Sequence, residues 1–151
     1  MIPLEPLTKR KVPAQILVCN GCCCGRTEKG HPPVPVDWLK QEFKARKLLR
    51  KVHLTIAGCL GPCDTPNVVC INFAFGSRWF GLITEFWQYE AILDWASASA
   101  ESGALLPLPA FLAAHEMEVL LPAASNSAML EMERASTASA GSQYLIQQSK
   151  S

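Results

Sequence analysis

Seven cysteines fall in two short groups and a singleton. Cys19, Cys22, Cys23 and Cys24 lie within VCNGCCCGR, Cys59 and Cys63 lie within AGCLGPCDTPN, and Cys70 follows in a strand-like run. They include a C-x4-C pair, Cys19 and Cys24, and a C-x3-C pair, Cys59 and Cys63, with 34 residues between the pairs. Four thiolates offered as two pairs on two loops suit a tetrahedral sulfur-bound centre, and zinc and a [2Fe–2S] cluster are its ordinary occupants. Cys19 and Cys22 form a C-x2-C pair that would serve zinc as well. A redox-active CxxC would open a helix that lowers the thiol pKa, whereas CNGCCCGR runs into a Gly/Pro loop. Cys70 reads as a small buried hydrophobe. His31 and His53 lack the spacing to a cysteine that a mixed His/Cys centre needs, and His115 lies in the C-terminal extension. All three read as surface or partly buried histidines.

The elements that must position these thiols follow from periodicity. Ala14 to Cys19 is a short apolar run and reads as a buried strand delivering Cys19 to a loop. Residues 20–35 hold Gly21, Gly25, Gly30, Pro32, Pro33 and Pro35 and read as that loop. Asp37 is placed to cap a helix through about Leu49, with Trp38, Leu39, Phe43 and Leu48 or Leu49 at helical spacing. Val52 to Ala57 alternates, with Val52, Leu54 and Ile56 on one side, and reads as a second strand ending just before cysteines. Asn67 to Phe75 and Arg78 to Ile83 read as a hairpin turning at Gly76-Ser77. Thr84 is placed to cap a second helix through about Ala100. The order is strand, helix, strand, strand, strand, helix, which predicts an α/β fold with a parallel first pair and a right-handed crossover. Residues 14–100 form the domain, and 101–151 a partly helical, largely flexible extension. That extension holds a helix around 108–121 and a disordered Ala/Ser-rich tail from about 135. If the first two strands are adjacent, their trailing loops sit side by side and four sulfurs converge.

Of the 151 residues 49% are hydrophobic and 18% charged, a globular composition. The net charge of +1 is uneven: residues 1–100 hold 12 Lys/Arg against 8 Asp/Glu, and residues 101–151 hold 2 against 5. This asymmetry separates two regions and does not suggest a nucleic-acid binder. AQILV is too short for a signal-peptide core, and no stretch approaches the roughly 18 apolar residues of a membrane span. These features predict a cytoplasmic protein without disulfides, whose cysteines serve metal or redox chemistry. No Ser/His/Asp set, phosphate loop or nucleotide fingerprint is present, so no stand-alone enzyme is expected. Lys44, Arg46, Lys47, Arg50 and Lys51 read first as the solvated face of a helix, with steering of an acidic redox partner as the alternative.

The cysteine order, and above all the segment GCLGPCDTPNVVCI, resembles the thioredoxin-like [2Fe–2S] ferredoxins. It is equally similar to the small iron–sulfur subunit of respiratory NADH dehydrogenase. The resemblance covers roughly residues 14–100 and implies a compact thioredoxin-like sheet. It implies further that Cys19, Cys24, Cys59 and Cys63 ligate a [2Fe–2S] cluster carrying single electrons. Within CNGCCC, Cys22 and Cys23 are alternatives to Cys24 as the second ligand. Some relatives are associated with cobalamin synthesis, which nothing in this sequence selects. The competing roles are an iron–sulfur subunit or accessory of a larger oxidoreductase, and a zinc-stabilised interaction module.

Overall fold

Ala14–Cys19 (β1) alternates buried and half-buried side chains before its buried last residue, as a strand covered on one face should. The computed structural model describes residues 5–121 and 131–135. β1 is an inner strand, second in a five-stranded sheet with His53–Ala57 (β2), Val69–Phe73 (β3), Gly76–Phe80 (β4) and Glu116–Met117 (β5), in the order β2-β1-β3-β4-β5. β2 runs parallel to β1, and β3, β4 and β5 each run antiparallel to the neighbour before them in that order. The α/β class and the order strand, helix, strand, strand, strand, helix expected from the sequence are both seen, with a parallel first pair.

Register follows from the two faces. On one face Ile16 lies opposite Ile71 and Val18 opposite Val69, and Val69 lies opposite Phe80. These residues share one core with Leu39 and Phe43 of helix α1 (Val36–Ala45) and with Tyr89, Ile92, Leu93, Trp95 and Ala96 of helix α2 (Phe86–Ser102). The other face carries a polar ladder that crosses four strands. Gln15 Nε2 donates to Thr55 Oγ1 at 3.1 Å, Asn72 Nδ2 donates to Gln15 Oε1 at 3.2 Å, and Ser77 Oγ donates to Asn72 Oδ1 at 2.6 Å. A one-residue slip would exchange the faces and break both sets.

Several boundaries differ from the sequence expectation for local reasons. α1 starts after Pro35, whose carbonyl accepts the Leu39 N–H at 2.9 Å, so Asp37 sits inside the first turn and not at the cap. It ends at Ala45 rather than Leu49 because Lys47 turns left-handed at φ 55°. Leu48 N–H then reaches the Phe43 carbonyl at 3.0 Å and Lys47 N–H the Lys44 carbonyl at 3.1 Å, a Schellman closure that buries Leu48. The hairpin turns at Ala74-Phe75, two residues earlier than expected, with Phe75 stacked on Phe73 at 4.9 Å. α2 is capped by Glu85 rather than Thr84, because Gln88 Oε1 accepts both the Thr84 and Glu85 N–H groups at 2.9 Å.

Met1–Val119 forms one compact unit, which therefore includes residues 103–119. Pro107 and Pro109 deny that stretch the helix expected at 108–121. A 3-10 turn at Ala110–Ala114 and the short β5 stand there instead. Trp95 Nε1 donates to the Leu106 carbonyl at 2.8 Å, and Leu112 is buried. His115 Nδ1 donates to the Gly81 carbonyl at 2.9 Å, and its Nε2 meets Gln88 Nε2 at 3.2 Å. Leu120–Ser151 forms a second unit, in which residues 131–135 are helical. The tail expected beyond residue 135 lies outside the described residues.

Candidate metal centre

β1 and β2 are in parallel register with Cys19 opposite Ala57, so both release their chains at the same edge of the sheet. The loops that follow are held in contact. Asn20 N–H donates to the Ala57 carbonyl at 3.0 Å, and Cys19 N–H to the Val68 carbonyl at 3.0 Å. At Gly21 a side-chain carbon would collide with the Gly58 carbonyl and with the Cys59 backbone, so only glycine permits this approach. Two cations brace the first loop from within: Arg26 Nε donates to the Gly21 carbonyl at 2.8 Å and Lys29 Nζ to the Cys22 carbonyl at 2.9 Å.

Asn67 clamps the arrangement, a role the sequence reading did not assign. Its side chain is fully buried. Oδ1 accepts the Gly25 N–H at 2.9 Å, and Nδ2 donates to the Pro32 and Pro33 carbonyls at 3.0 and 3.2 Å. One amide thus ties the segment after Cys63 to both ends of the first cysteine loop. Only its place in P-N-V-V, just before a strand, hinted at this. A buried Asn must satisfy its amide, and here the loop carbonyls do so.

The thiols divide into two groups, and all seven are free. Cys22, Cys59 and Cys63 bring their Sγ atoms within 4.8 Å of one another, with Cys22 to Cys63 at 3.2 Å and Cys59 to Cys63 at 3.4 Å. This trio is at or near the surface. Cys19 and Cys24 lie in a buried cluster with Val68, packed by Val34, Leu60, Trp79 and Met117. Cys19 Sγ also meets the Gly58 carbonyl at 3.5 Å. Of the four residues expected as ligands, Cys59 and Cys63 therefore converge with Cys22, while Cys19 and Cys24 stand together in the buried cluster. Cys23 is half-buried and stands outside the trio, with its side chain against Cys22. Cys70 is buried on β3 with its Sγ 3.6 Å from Asn72 Oδ1, as a small core residue should be.

The electrostatics separate these groups. Hydrogen bonds from Cys63 and then Cys59 hold the Cys22 thiol below its ordinary value, with Lys29 adding attraction. Cys63, the other thiol of that contact, is pushed up by the hydrogen bonds with Cys22 and then Cys59. Burial pushes Cys24 up to about 12, reinforced by its hydrogen bond with Cys19. An all-sulfur donor set suits a soft or borderline metal, not calcium or magnesium.

Fold and site thus define an α/β domain with a thiol-rich loop pair at one edge of its sheet. Among solved structures, a match is the crystal structure of the thioredoxin-like [2Fe–2S] ferredoxin from Aquifex aeolicus. It is 17% identical, with a TM-score of 0.41 over 72% of this chain and 100% of that one. No protein-family profile and no curated protein matches the chain.

Proposed function

We propose that this protein binds a [2Fe–2S] cluster and carries single electrons, as an electron carrier and not as a stand-alone enzyme. The observation that carries this reading is the convergence of Cys22, Cys59 and Cys63 beside the buried Cys19 and Cys24. A bound cluster would supply a one-electron couple. The chain would supply four thiolates, a dry wall of Val68, Leu60 and Trp79 against them, and backbone N–H groups of two Gly-rich loops. Cys59 and Cys63 come from the second loop. From the first, sequence spacing favours Cys19 and Cys24, while spatial convergence favours Cys22. A ligand set of Cys19, Cys22, Cys59 and Cys63 would also suit zinc, which makes a zinc-stabilised interaction module the second reading.

The partner we propose is an acidic redox protein. The compartment we propose is the reducing cytoplasm, where clustered cysteines serve metal or redox chemistry. Among the described residues no helix is long and apolar enough to cross a membrane. The test is analysis of anaerobically purified protein, combined with single Ser substitutions at Cys19, Cys22, Cys24, Cys59 and Cys63. About two irons and two sulfides per chain, and an electron paramagnetic resonance signal after dithionite reduction, are expected. One zinc per chain and no visible absorption would replace the first reading by the second. The four substitutions that bleach the protein identify the ligands.

A further inference from the structure

At the end of β1 and β2 away from the thiols, two basic segments enter the parallel pair side by side. Lys9, Arg10, Lys11 and Val12 lead into β1, Leu49 and Arg50 lead towards β2, and His53 opens β2 opposite Gln15. These seven residues line one cleft of about 510 Å³, to which no Asp or Glu contributes. Its cations are uncompensated. Among residues 5–121 every arginine outside the cleft is ion-paired: Arg26 to Glu28, Arg46 to Glu42 and Asp94, and Arg78 to Glu116. Arg10 and Arg50, the two in the cleft, have no ion pair among the described residues, and neither have Lys9 and Lys11. All 13 Asp and Glu fall within residues 5–121 and 131–135, so the rest of the sequence holds no carboxylate side chain that could neutralise them.

Four like charges around a concave site concentrate positive potential there and attract anions. The volume falls within the roughly 300–1,000 Å³ of small-ligand pockets. A lone carboxylate would meet one or two of the four cations. Several negative charges on one compact body match charge and volume together, and phosphate oxygens accept charge-assisted hydrogen bonds from both Arg and Lys. Val12 and Leu49 add an apolar wall, and Leu49 is 58% exposed. We propose that this cleft binds a small oligophosphate, either free or carried on a nucleoside. The site lies at the opposite end of the strands from the sulfurs, and nothing in its chemistry depends on a metal there.

The test is calorimetric titration of the full-length chain with tripolyphosphate. One molecule should bind per chain, more weakly as salt rises. Arg50→Gln should lower the affinity ~5-fold or more, and Lys9→Gln, Arg10→Gln and Lys11→Gln combined ~30-fold or more. Lys29→Gln, at the sulfur loops, should leave it within about 2-fold. Backbone amide shifts locate the site: those of Val12, Leu49 and His53 should move on saturation, and those of Cys22 and Cys59 should not. Adenosine triphosphate is the second probe. Tighter binding than tripolyphosphate, lost in Leu49→Ser, sustains the site and assigns it to a nucleoside phosphate; equal or weaker binding sustains it for the free oligophosphate. No saturable binding of tripolyphosphate, an affinity unchanged in both cleft variants, or shifts confined to residues outside the cleft would overturn the proposal. So would an oligoglutamate peptide that binds more tightly than tripolyphosphate, which would make the cleft a seat for an acidic protein segment.

Discussion

At Gly21 and Gly58 two backbones touch, and the site depends on a hydrogen atom where any other residue carries carbon. Gly21→Ala would force apart the loops bearing Cys22 and Cys59, because the obstacle is backbone and not a flexible side chain. Overpacking of this kind costs about 1–3 kcal/mol. We expect a loss of that size in urea unfolding and loss of more than half the bound metal, while Gly30→Ala, strained at φ 80° but meeting nothing within 4 Å, should lose stability yet retain its metal. Cys70 gives a prediction of a different kind. Burial pushes its thiol up to about 11 from an ordinary value of 9.0. The folded state therefore holds this proton where the unfolded chain releases it. Its contribution is fully present below pH 9 and is lost as pH rises through 11. Metal-free protein under reductant should lose stability across that window, and Cys70→Ala should lose less. Equal slopes for the two proteins would contradict the assignment. The sequence showed which residue types could do the chemistry, but not that Cys22 would lie with Cys59 and Cys63. Four cysteines within six residues leave that choice to loop geometry, which Asn67 sets from more than 40 positions away.

The elements themselves were largely legible, β1 above all, because it buries every second residue and the alternation survives in sequence. Ala14–Cys19 was delimited to the residue. The departures arise where tertiary demands outweigh local pattern. The apolar periodicity of α1 continues to Leu48 and Leu49, yet burial of Leu48 is achieved by ending the helix and folding back through Lys47. The segment after α2 is apolar like a helix, but Pro107 and Pro109 and its pairing with β4 make it a turn and a strand. Lys47 offers a direct test of the first case. A lysine at φ 55° carries a steric penalty that glycine lacks. Since Lys47 makes no ion pair among the described residues, Lys47→Gly should raise stability by about 1 kcal/mol, read as a higher urea midpoint at unchanged slope. A lower midpoint would show that the lysine side chain contributes more than its backbone strain costs.

Across the whole of the first unit the parallel pair β1 and β2 sets up two poles. Cys19 and Ala57 end the strands at one pole, and Ala14 and His53 begin them at the other. The basic residues Lys47, Arg50 and Lys51 precede β2 and so belong to the pole away from the thiols. At about 3.3 Å per residue the strands separate the two poles by roughly 17 Å. Lys9, Arg10 and Lys11 precede β1, and with Arg50 and His53 they line a cleft of about 510 Å³ there. Arg46 is already neutralised by Glu42 and Asp94 at 2.9 and 2.8 Å. The basic helix face legible in the sequence is thus real as a cluster, but lies at the opposite end of the strands from the sulfurs. The cations at the sulfurs are Arg26 and Lys29, which sequence alone presents as ordinary loop residues. Exposed charges are screened beyond about 10 Å at 0.1 M ionic strength. Electron transfer from reduced protein to ferricyanide, an anionic acceptor, should therefore respond to Lys29 and not to Arg50. We expect Lys29→Gln to slow it several-fold at low salt, with the difference fading as salt rises, and Arg50→Gln to leave the rate within error at 0.1 M. Visible absorption of each variant checks that the centre is intact. Equal slowing by both substitutions would mean that the far pole acts through the field of the whole molecule. A response to Arg50 alone would place electron exit at the cleft and not at the cysteine loops.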